Sequence, residues 1–518
     1  MFPITLPTSP ETLAFLQAES NEEADYQLSI QQARDYDDGR QFVALTERLR
    51  EFLGGDTAND AEDYKRLRLN ICRIILAAVV DRLIVAGFDT DETPQEQPAV
   101  DERGQPTTKL IKPVAAWAWN LWQRNRMDAK QRRVHEAALR DSESFVIVDW
   151  DNGSKRARFT PHVRFVDVSG ATGADVGEGC RAFYRNDDSD QDLLFVTKRW
   201  TEVMHTAHGT RNTRQRLTVY LPHEIRKYAG FPGAWKPTQD ADSEPWPIPW
   251  LDKAGQPLGI PVAHFVSSAG MEASEAWPIQ NAINKAFVDL MTESDMAAFR
   301  ILLAFGWKPV DSTGAPLSIT PGTWMGTEKT GATAQEISGS DLSSFINLIE
   351  SLMLWAAQTT DTPTSRFITT KQVASEGTQK EQNSALLTKA RNRQSELANG
   401  WTHAMYMAMR LENTYGAGGL DEQAFITTTF EPLEARDEMA ELERAQLRQA
   451  LGMPISIIAK ELGLTPEQTS DWEEAAEQRA AQALALAQAA KPVAVGPIKK
   501  TVQRDEQGKI ASVTEGAV

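Results

Sequence analysis

Apolar residues recur at three- and four-residue spacing through most of the first 140 residues, and this spacing predicts α-helices. We expect one of them over residues 63–85, with Gly87 as its C-terminal cap. A second, continuous helix is expected over residues 114–141. The stretch between them, residues 89–112, is rich in Pro, Gln and Asp and is expected to be an exposed insertion.

The pattern changes to alternating apolar and polar residues after position 142. Residues 142–168 read as two strands joined by a hairpin turn at Asn152 and Gly153, and further strand-like runs continue to a Pro-rich passage that ends near Val266. Strands and helices do not alternate regularly here, which argues against a doubly wound parallel sheet. The first half of the chain is therefore expected to be a mixed α/β region.

Long helical periods return at residue 274. Helices are predicted over residues 274–305, 341–358 and 379–415, followed by a strand near residue 427 and acidic helices over 433–490. The segment 306–340 is rich in Gly, Pro and Thr and has only short strand signals. Residues 359–378, which we call the polar connection, join two helices with far more residues than such connections usually need. The last 28 residues show no period, and we expect them to be disordered.

Charge and cysteine usage restrict the class of protein. The 518 residues include 72 acidic and 54 basic side chains, a net charge of −18, which argues against a protein that wraps DNA with Lys and Arg. Two cysteines cannot form a disulfide framework. The N-terminus lacks the pattern of a secretion signal, and the most apolar run, residues 71–88, is interrupted by three charges. These features favour a soluble cytosolic protein without a membrane partner.

Catalytic patterns are incomplete. His205 and His208 have half the spacing of a metal site but lack nearby ligands, and His223-Glu224 begins a zinc-protease motif that fails because residue 227 is Lys. Phosphate-binding loops and nucleophile elbows do not occur in the sequence. We therefore predict no enzyme, no cofactor and no metal.

Tryptophans fall into two groups. Trp117, Trp119 and Trp122 lie near the start of a predicted helix, where burial is the simpler explanation and an interaction patch the alternative. Trp307 and Trp324 lie in the Gly- and Pro-rich segment 306–340, which is too short to bury both. For these two, a contact with another subunit or a partner competes equally with local packing.

The order of these parts is more specific than any one of them. Four stretches carry it: "YDDGRQFVALTERLREFLG" with "NICRIILAAVVDRLIVAGF", then "WNLWQRNRMDAKQRRVHEAALRDSESFVIV", then "GIPVAHFVSSAGMEASEAWPIQNAINKAFVDLMTESDMAAFRILLAFG", and the polar connection with "SALLTKARNRQSELANGWTHAMYMAMRL". Taken in order over roughly residues 25–475, they resemble the portal proteins of tailed double-stranded DNA bacteriophages.

This resemblance implies an α+β, mainly helical portal fold that assembles as a ring, usually of twelve subunits. In family terms the chain would divide as follows: wing, 1–273; stem helix, 274–305; clip, 306–340; second stem helix, 341–358; tunnel loop, 359–378; long wing helix and return strand, 379–432; crown, 433–490; disordered tail, 491–518.

The resemblance also implies a role and a place. The ring would lie at one vertex of the capsid, in the virion and earlier in the host cytoplasm, and DNA would be packaged and ejected through it. Its partners would be the terminase large subunit, the head–tail adaptor, the major capsid protein and the scaffolding protein, besides the non-specific DNA itself. The alternatives are another oligomeric helical phage assembly protein without a DNA channel, and an enzyme in the α/β region.

Candidate contact residues follow from the same resemblance. Hydroxyls and a few cations can touch a phosphate backbone without reading sequence, and the alternative for such residues is a solvated, turn-forming loop. The DNA-channel residues would be Thr360, Thr362, Thr364, Arg366, Thr369, Thr370 and Lys371. The contacts of the clip with adaptor or terminase would be Trp307, Lys308, Trp324, Glu328 and Lys329.

Overall fold

The computed structural model describes residues 21–41, 69–100, 106–166, 178–184, 193–205, 211–230, 235–241, 243–298, 301–305, 330–331, 333–337, 342–367, 376–433, 447–448 and 499–516. Its helices are α1 (Asn21–Asp37), α2 (Ile71–Val80), α3 (Pro113–Arg124), α4 (Met127–Arg140), α5 (Trp277–Ala298), α6 (Leu342–Thr359) and α7 (Glu376–Tyr415). Short 3₁₀ turns cover Ser274–Ala276 and Thr364–Arg366.

The strands form several antiparallel sheets rather than one. They are β1 (Val85–Thr90), β2 (Gln95–Val100), β3 (Pro106–Ile111), β4 (Glu143–Asp151), β5 (Arg156–Val163), β6 (Gly179–Tyr184), β7 (Leu193–His205), β8 (Arg211–Tyr220), β9 (Glu224–Gly230), β10 (Lys236–Pro237), β11 (Ile248–Pro249), β12 (Val262–Val266), β13 (Ile301–Phe305), β14 (Thr333–Ile337), β15 (Ile426–Phe430), β16 (Lys499–Arg504) and β17 (Ile510–Gly516). The mixture of helices and separate sheets agrees with the predicted α+β class.

The chain divides into two units. One consists of Met1–Thr93 and Lys112–Glu434, and the other of Pro94–Ile111 and Ala435–Val518. In the second unit, β2 pairs with β3 and β16 pairs with β17. All the other described strands and helices belong to the first unit.

The main core of the first unit lies between α4, α7 and a three-stranded sheet of order β12-β4-β5. The uninterrupted apolar run of β4 (Phe145 to Val148) is buried because helices pack on it. Trp401 of α7 packs edge-to-face on Trp122 and Phe265. Trp122 is buried and Trp117 and Trp119 pack against the same core, which confirms the simpler explanation for this cluster.

A larger sheet of order β10-β9-β8-β7-β6 has one side in this core. On its other side, Phe195, Leu217, Tyr228 and Trp235 form a smaller apolar cluster. The hairpin predicted with its turn at Asn152 and Gly153 joins β4 and β5, and its turn extends over residues 152–155.

The two helices predicted on either side of segment 306–340 pack against each other. The stripes of α5 and α6 meet at Ile283, Ala286, Ile349 and Leu352, and they share this cluster with Ile75 of α2. This packing confirms the apolar stripes. It also shows that α2 packs against the same pair of helices.

Three helix predictions are corrected by the structure: two run too far and one is interrupted. Residues 85–90 are β1 rather than the end of a helix, because they pair with β15 across the sequence, and Gly87 lies at the irregularity in that ladder instead of capping a helix. Residues 301–305 are β13, which pairs with β14, so α5 ends at Ala298. The helix predicted over 114–141 is broken at Asn125 and Arg126.

The break between α3 and α4 has a local cause. Arg126 has a left-handed backbone (φ 54°). The Asn125 amide donates to Leu121 O and Ala157 O and accepts from Phe159 N–H at 3.1 Å. This side chain therefore connects the helix end to β5, a long-range contact that spacing alone does not reveal.

The predicted insertion and the predicted disordered tail each contain a hairpin. The insertion at 89–112 contains β2 and β3. The tail at 491–518 contains β16 and β17, so the prediction of disorder is wrong for residues 499–516. The turn of the second hairpin is built locally, because the Asp505 carboxylate accepts from the N–H groups of Gln507 and Lys509 and Gly508 supplies a φ of 79°.

Candidate functional site

The polar connection begins with a helix stop. After α6, Asp361 adopts a left-handed backbone (φ 52°), and the Thr362 N–H donates to Ala357 O at 3.0 Å. This is the Schellman arrangement, in which a left-handed residue lets the chain satisfy carbonyls at the helix end, and the following Pro363 prevents continuation. The threonine-rich start of the connection therefore forms a cap.

Two of the predicted DNA-facing threonines take part in this cap. Thr360 and Thr362 are 3% and 4% exposed, respectively. The Thr360 hydroxyl donates to Ala356 O at 2.7 Å and lies 3.0 Å from the Thr362 hydroxyl. In the folded chain, both hydroxyls make hydrogen bonds within the cap. The amino-acid composition of the polar connection did not indicate this role.

The next predicted residues are more accessible. Thr364 is half-buried in its 3₁₀ turn, and the Arg366 side chain is 40% exposed. An Arg366 guanidinium nitrogen lies 3.7 Å from the carboxylate of Asp81, directly after α2. Burial and the nearby Arg366 lower the pKa of Arg82. Thr369, Thr370 and Lys371 lie outside the described residues.

The clip candidates Trp307, Lys308, Trp324, Glu328 and Lys329 also lie outside the described residues. The strands that flank them are described: Ile301 pairs with Ile337, and Phe305 pairs with Thr333. Phe305 and Thr333, the residues on either side of segment 306–332, therefore lie side by side in one antiparallel ladder.

A buried carboxylate lies beside the start of the polar connection. Glu272 is 2% exposed in its side chain and meets Lys389 Nζ at 2.8 Å and Arg393 Nε at 3.2 Å. Lys389 Nζ also donates to Thr360 O at 2.6 Å. Because Lys389 and Arg393 are one turn apart on α7, both cations reach the same carboxylate.

Gln280 has a structural role that the sequence analysis missed. The helical pattern places it on the polar side of α5, yet it is completely buried. Its Oε1 accepts from the Ile71 N–H at 2.7 Å, its Nε2 donates to Leu69 O, and the same nitrogen donates to Asn284 at 2.9 Å. Gln280 therefore caps the first turn of α2 from another helix, which no local signal could show.

One side of α6 remains apolar and exposed. Leu348 is 46% exposed and Trp355 is 57% exposed. Because they are seven residues apart, they lie two turns apart on the same side, away from the cluster that α6 forms with α5. This exposed pair is an unusual surface for an isolated subunit.

A hydroxyl, an imidazole and a carboxylate do stand in catalytic order elsewhere in the first unit. The Tyr184 hydroxyl contacts His264 Nδ1, and His264 Nε2 lies 2.7 Å from Glu143. Burial and the nearby Glu143 raise the pKa of Tyr184 to about 12, the opposite of what an activated nucleophile needs. The arrangement therefore gives no support to an enzyme.

Two searches of the described residues were negative. None of their groups of His, Cys, Asp and Glu has the arrangement of a metal site. Within the same part of the chain, every helix is too short or too polar to span a membrane. The side chains of the His205 and His208 pair lie outside the described part.

Comparison with known proteins identifies a family. No curated protein matches the sequence. The model of the family described as "Phage portal protein, SPP1 Gp6-like" matches residues 57–483. These residues include α2, the α/β core, the packed pair α5 and α6, the polar connection and α7. The chain therefore belongs to the SPP1 Gp6-like phage portal protein family.

Proposed function

We propose that this portal-family chain is one subunit of a ring at one vertex of a phage capsid, with twelve subunits as the resemblance implies, and that double-stranded DNA enters and leaves through the ring. The observation that carries the proposal is the family match over residues 57–483, most of the chain. The family is structural, and this fits the raised pKa of the one Tyr–His–Glu arrangement described above.

The exposed face of α6 supports assembly. Leu348 and Trp355 would be in water in a monomer, whereas a neighbouring subunit in a ring would bury them. In this proposal α5 and α6 are the stem, 306–340 is the clip, the α/β region is the wing and 433–490 is the crown. The same resemblance assigns the major capsid and scaffolding proteins as assembly partners.

The net negative charge of the chain fits a channel through which DNA moves better than a surface that binds DNA tightly. At −18 per chain, twelve subunits carry roughly −200 formal charges, which repel phosphates on average. A few cations can then touch the backbone without holding it. Of the predicted channel residues that the structure describes, Thr364 and Arg366 have exposed atoms for this contact, whereas Thr360 and Thr362 serve the cap.

The clip is proposed as the docking site for the terminase large subunit during packaging and for the head–tail adaptor afterwards. The ladder of β13 and β14 supports this, because it holds Phe305 and Thr333, on either side of segment 306–332, next to each other. Trp307, Lys308, Trp324, Glu328 and Lys329 are the contact residues proposed within it.

Negative-stain electron microscopy of the purified full chain tests the assembly. Closed rings with a central hole are expected. A compact monomer would contradict the proposal, and a closed assembly without a hole would favour a helical assembly protein that conducts no DNA.

Deletion of residues 368–374 tests the channel. This deletion leaves the cap of α6 and the turn at Thr364–Arg366 in place. We expect normal rings that package or retain less DNA. Loss of ring assembly would instead identify the polar connection as a structural joint.

A further inference from the structure

Three elements of the first unit are connected through Glu272 and Lys389. The segment before α5 supplies Glu272, whose own N–H donates to Leu139 O of α4 at 2.9 Å. Helix α7 supplies Lys389 and Arg393. The end of α6 supplies Thr360 O, which accepts from Lys389. The backbone of Glu272 is therefore bonded to the α/β core, and its carboxylate is linked to the polar connection through Lys389.

Lys389 and Arg393 have different second contacts. Besides Glu272, Arg393 contacts Glu396, with 3.1 Å between guanidinium nitrogen and carboxylate oxygen. This second partner lies on α7 itself. The Lys389 side chain extends from α7 to the C-terminal end of α6, where it donates to Thr360 O. A cation is favourable there because the final carbonyls of a helix lack intrahelical partners and carry partial negative charge.

The turn that follows is held from two sides. Thr364–Arg366 begins four residues after Thr360, and its far end contacts Asp81 through Arg366 at 3.7 Å. The Arg366 pair is exposed and contributes little, because water and salt weaken such pairs. The Lys389 contact is nearly buried, with 18% of the lysine side chain exposed. Of these two contacts of charged side chains, the one through Lys389 is therefore the stronger.

We propose that Lys389 is a positioning residue for the DNA-contacting turn, and that the bridge from Glu272 through Lys389 to Thr360 sets where the chain leaves α6. This inference rests on the proposed function for its consequence, the handling of DNA. Its structural part concerns Thr364 and Arg366 of a single chain.

The chain offers a matched pair of variants. Lys389→Met and Arg393→Met each remove one cation from the same buried carboxylate and keep a similar apolar stem. Only the first also removes the bond to Thr360. Lys389→Arg keeps the charge and is the conservative rescue.

Limited trypsin digestion of the full chain measures the turn directly, because trypsin cleaves after Arg366. We expect cleavage at this bond to become about tenfold faster in Lys389→Met, the factor expected for loss of one charged hydrogen bond. Arg393→Met should stay within about twofold of the parent rate, since the bridge to Thr360 remains. Lys389→Arg should restore the parent rate.

A second readout connects the turn to DNA. Capsids assembled with Lys389→Met rings should retain less DNA, whereas Arg393→Met capsids should match the parent. Equal cleavage and equal DNA retention in the two Met variants would overturn the inference, because the junction would then only stabilise the helices.

The two proposals fail in different ways. If the parent chain forms no rings, the proposed function fails, and the cleavage comparison still decides the role of Lys389. If the parent forms rings and packages DNA while Lys389→Met behaves like the parent, only the positioning role is lost.

Discussion

At the residue scale, single side chains decide where α6 stops and what the polar connection can do. Asp361 occupies a left-handed position that glycine or asparagine usually fills, and its negative charge lies at the negative end of the helix. Thr360 and Thr362 use their hydroxyls inside the cap. The composition of the connection is therefore partly that of a helix stop.

Asp361→Gly is expected to stabilise the subunit by about 0.5–1 kcal/mol, because glycine adopts the left-handed backbone without a Cβ penalty and the unfavourable charge is removed. The thermal unfolding midpoint should rise. Asp361→Ala removes the same charge but keeps a Cβ, so it should not stabilise. Equal gains in both variants would show that charge, rather than backbone conformation, limits stability here.

At the element scale, α7 connects the polar connection to the main core. Its first half carries Lys389 and Arg393, and its second half carries Trp401, which donates to His135 Nε2 of α4 at 2.8 Å. Both rings are completely buried. Since His135 accepts this bond, its ring is neutral, and burial lowers its pKa to about 4. The contact between α4 and α7 is therefore sensitive to acid.

Acidification should destabilise the fold through this histidine. Its pKa is about 6.5 in the unfolded chain and about 4 in the folded chain, so the unfolded state binds more protons as the pH falls from about 6.5 to 4. At pH 5 the loss is about 2 kcal/mol from His135 alone. Urea unfolding at pH 7 and pH 5 measures it.

His135→Gln keeps an acceptor for Trp401 but cannot titrate, so it should reduce the loss between pH 7 and pH 5. Part of the loss should remain, because burial also lowers the pKa of His162, to about 3. His162→Gln is the matched comparison and should reduce the loss similarly. An unchanged pH dependence in His135→Gln would mean that other groups, such as His162 or the carboxylates, dominate the acid sensitivity.

At the scale of the whole molecule, apolar surface and charge act in opposite directions. Subunits of net charge −18 repel each other, so assembly needs apolar contact to offset the repulsion. The exposed Leu348 and Trp355 on α6 provide such surface. The packing of α6 on α5 leaves this face open.

Trp355→Ser should therefore weaken ring assembly. Loss of a buried tryptophan at a contact costs a few kcal/mol, so the concentration at which half of the chains form rings should rise about tenfold or more. Leu28→Ser on α1 is the control, because Leu28 is also well exposed but lies on another helix. Mass photometry over a dilution series measures both. If the two variants assemble equally well, the α6 face is not an interface.

The amino-acid sequence by itself determined the helical periods of α5, α6 and α7, the hairpin at 152–155, and the order of parts that identifies the portal family. The helical periods and the hairpin are local signals, and the order of the parts can be read directly along the chain. Only the tertiary structure decided that residues 85–90 and 301–305 are strands, because their partners lie 340 and about 30 residues away in the sequence. It also decided that Gln280 caps α2 and that Lys389 joins Glu272 to Thr360. A buried polar side chain is placed by the partner that satisfies it, and the spacing of residues along one helix carries no information about a partner on another.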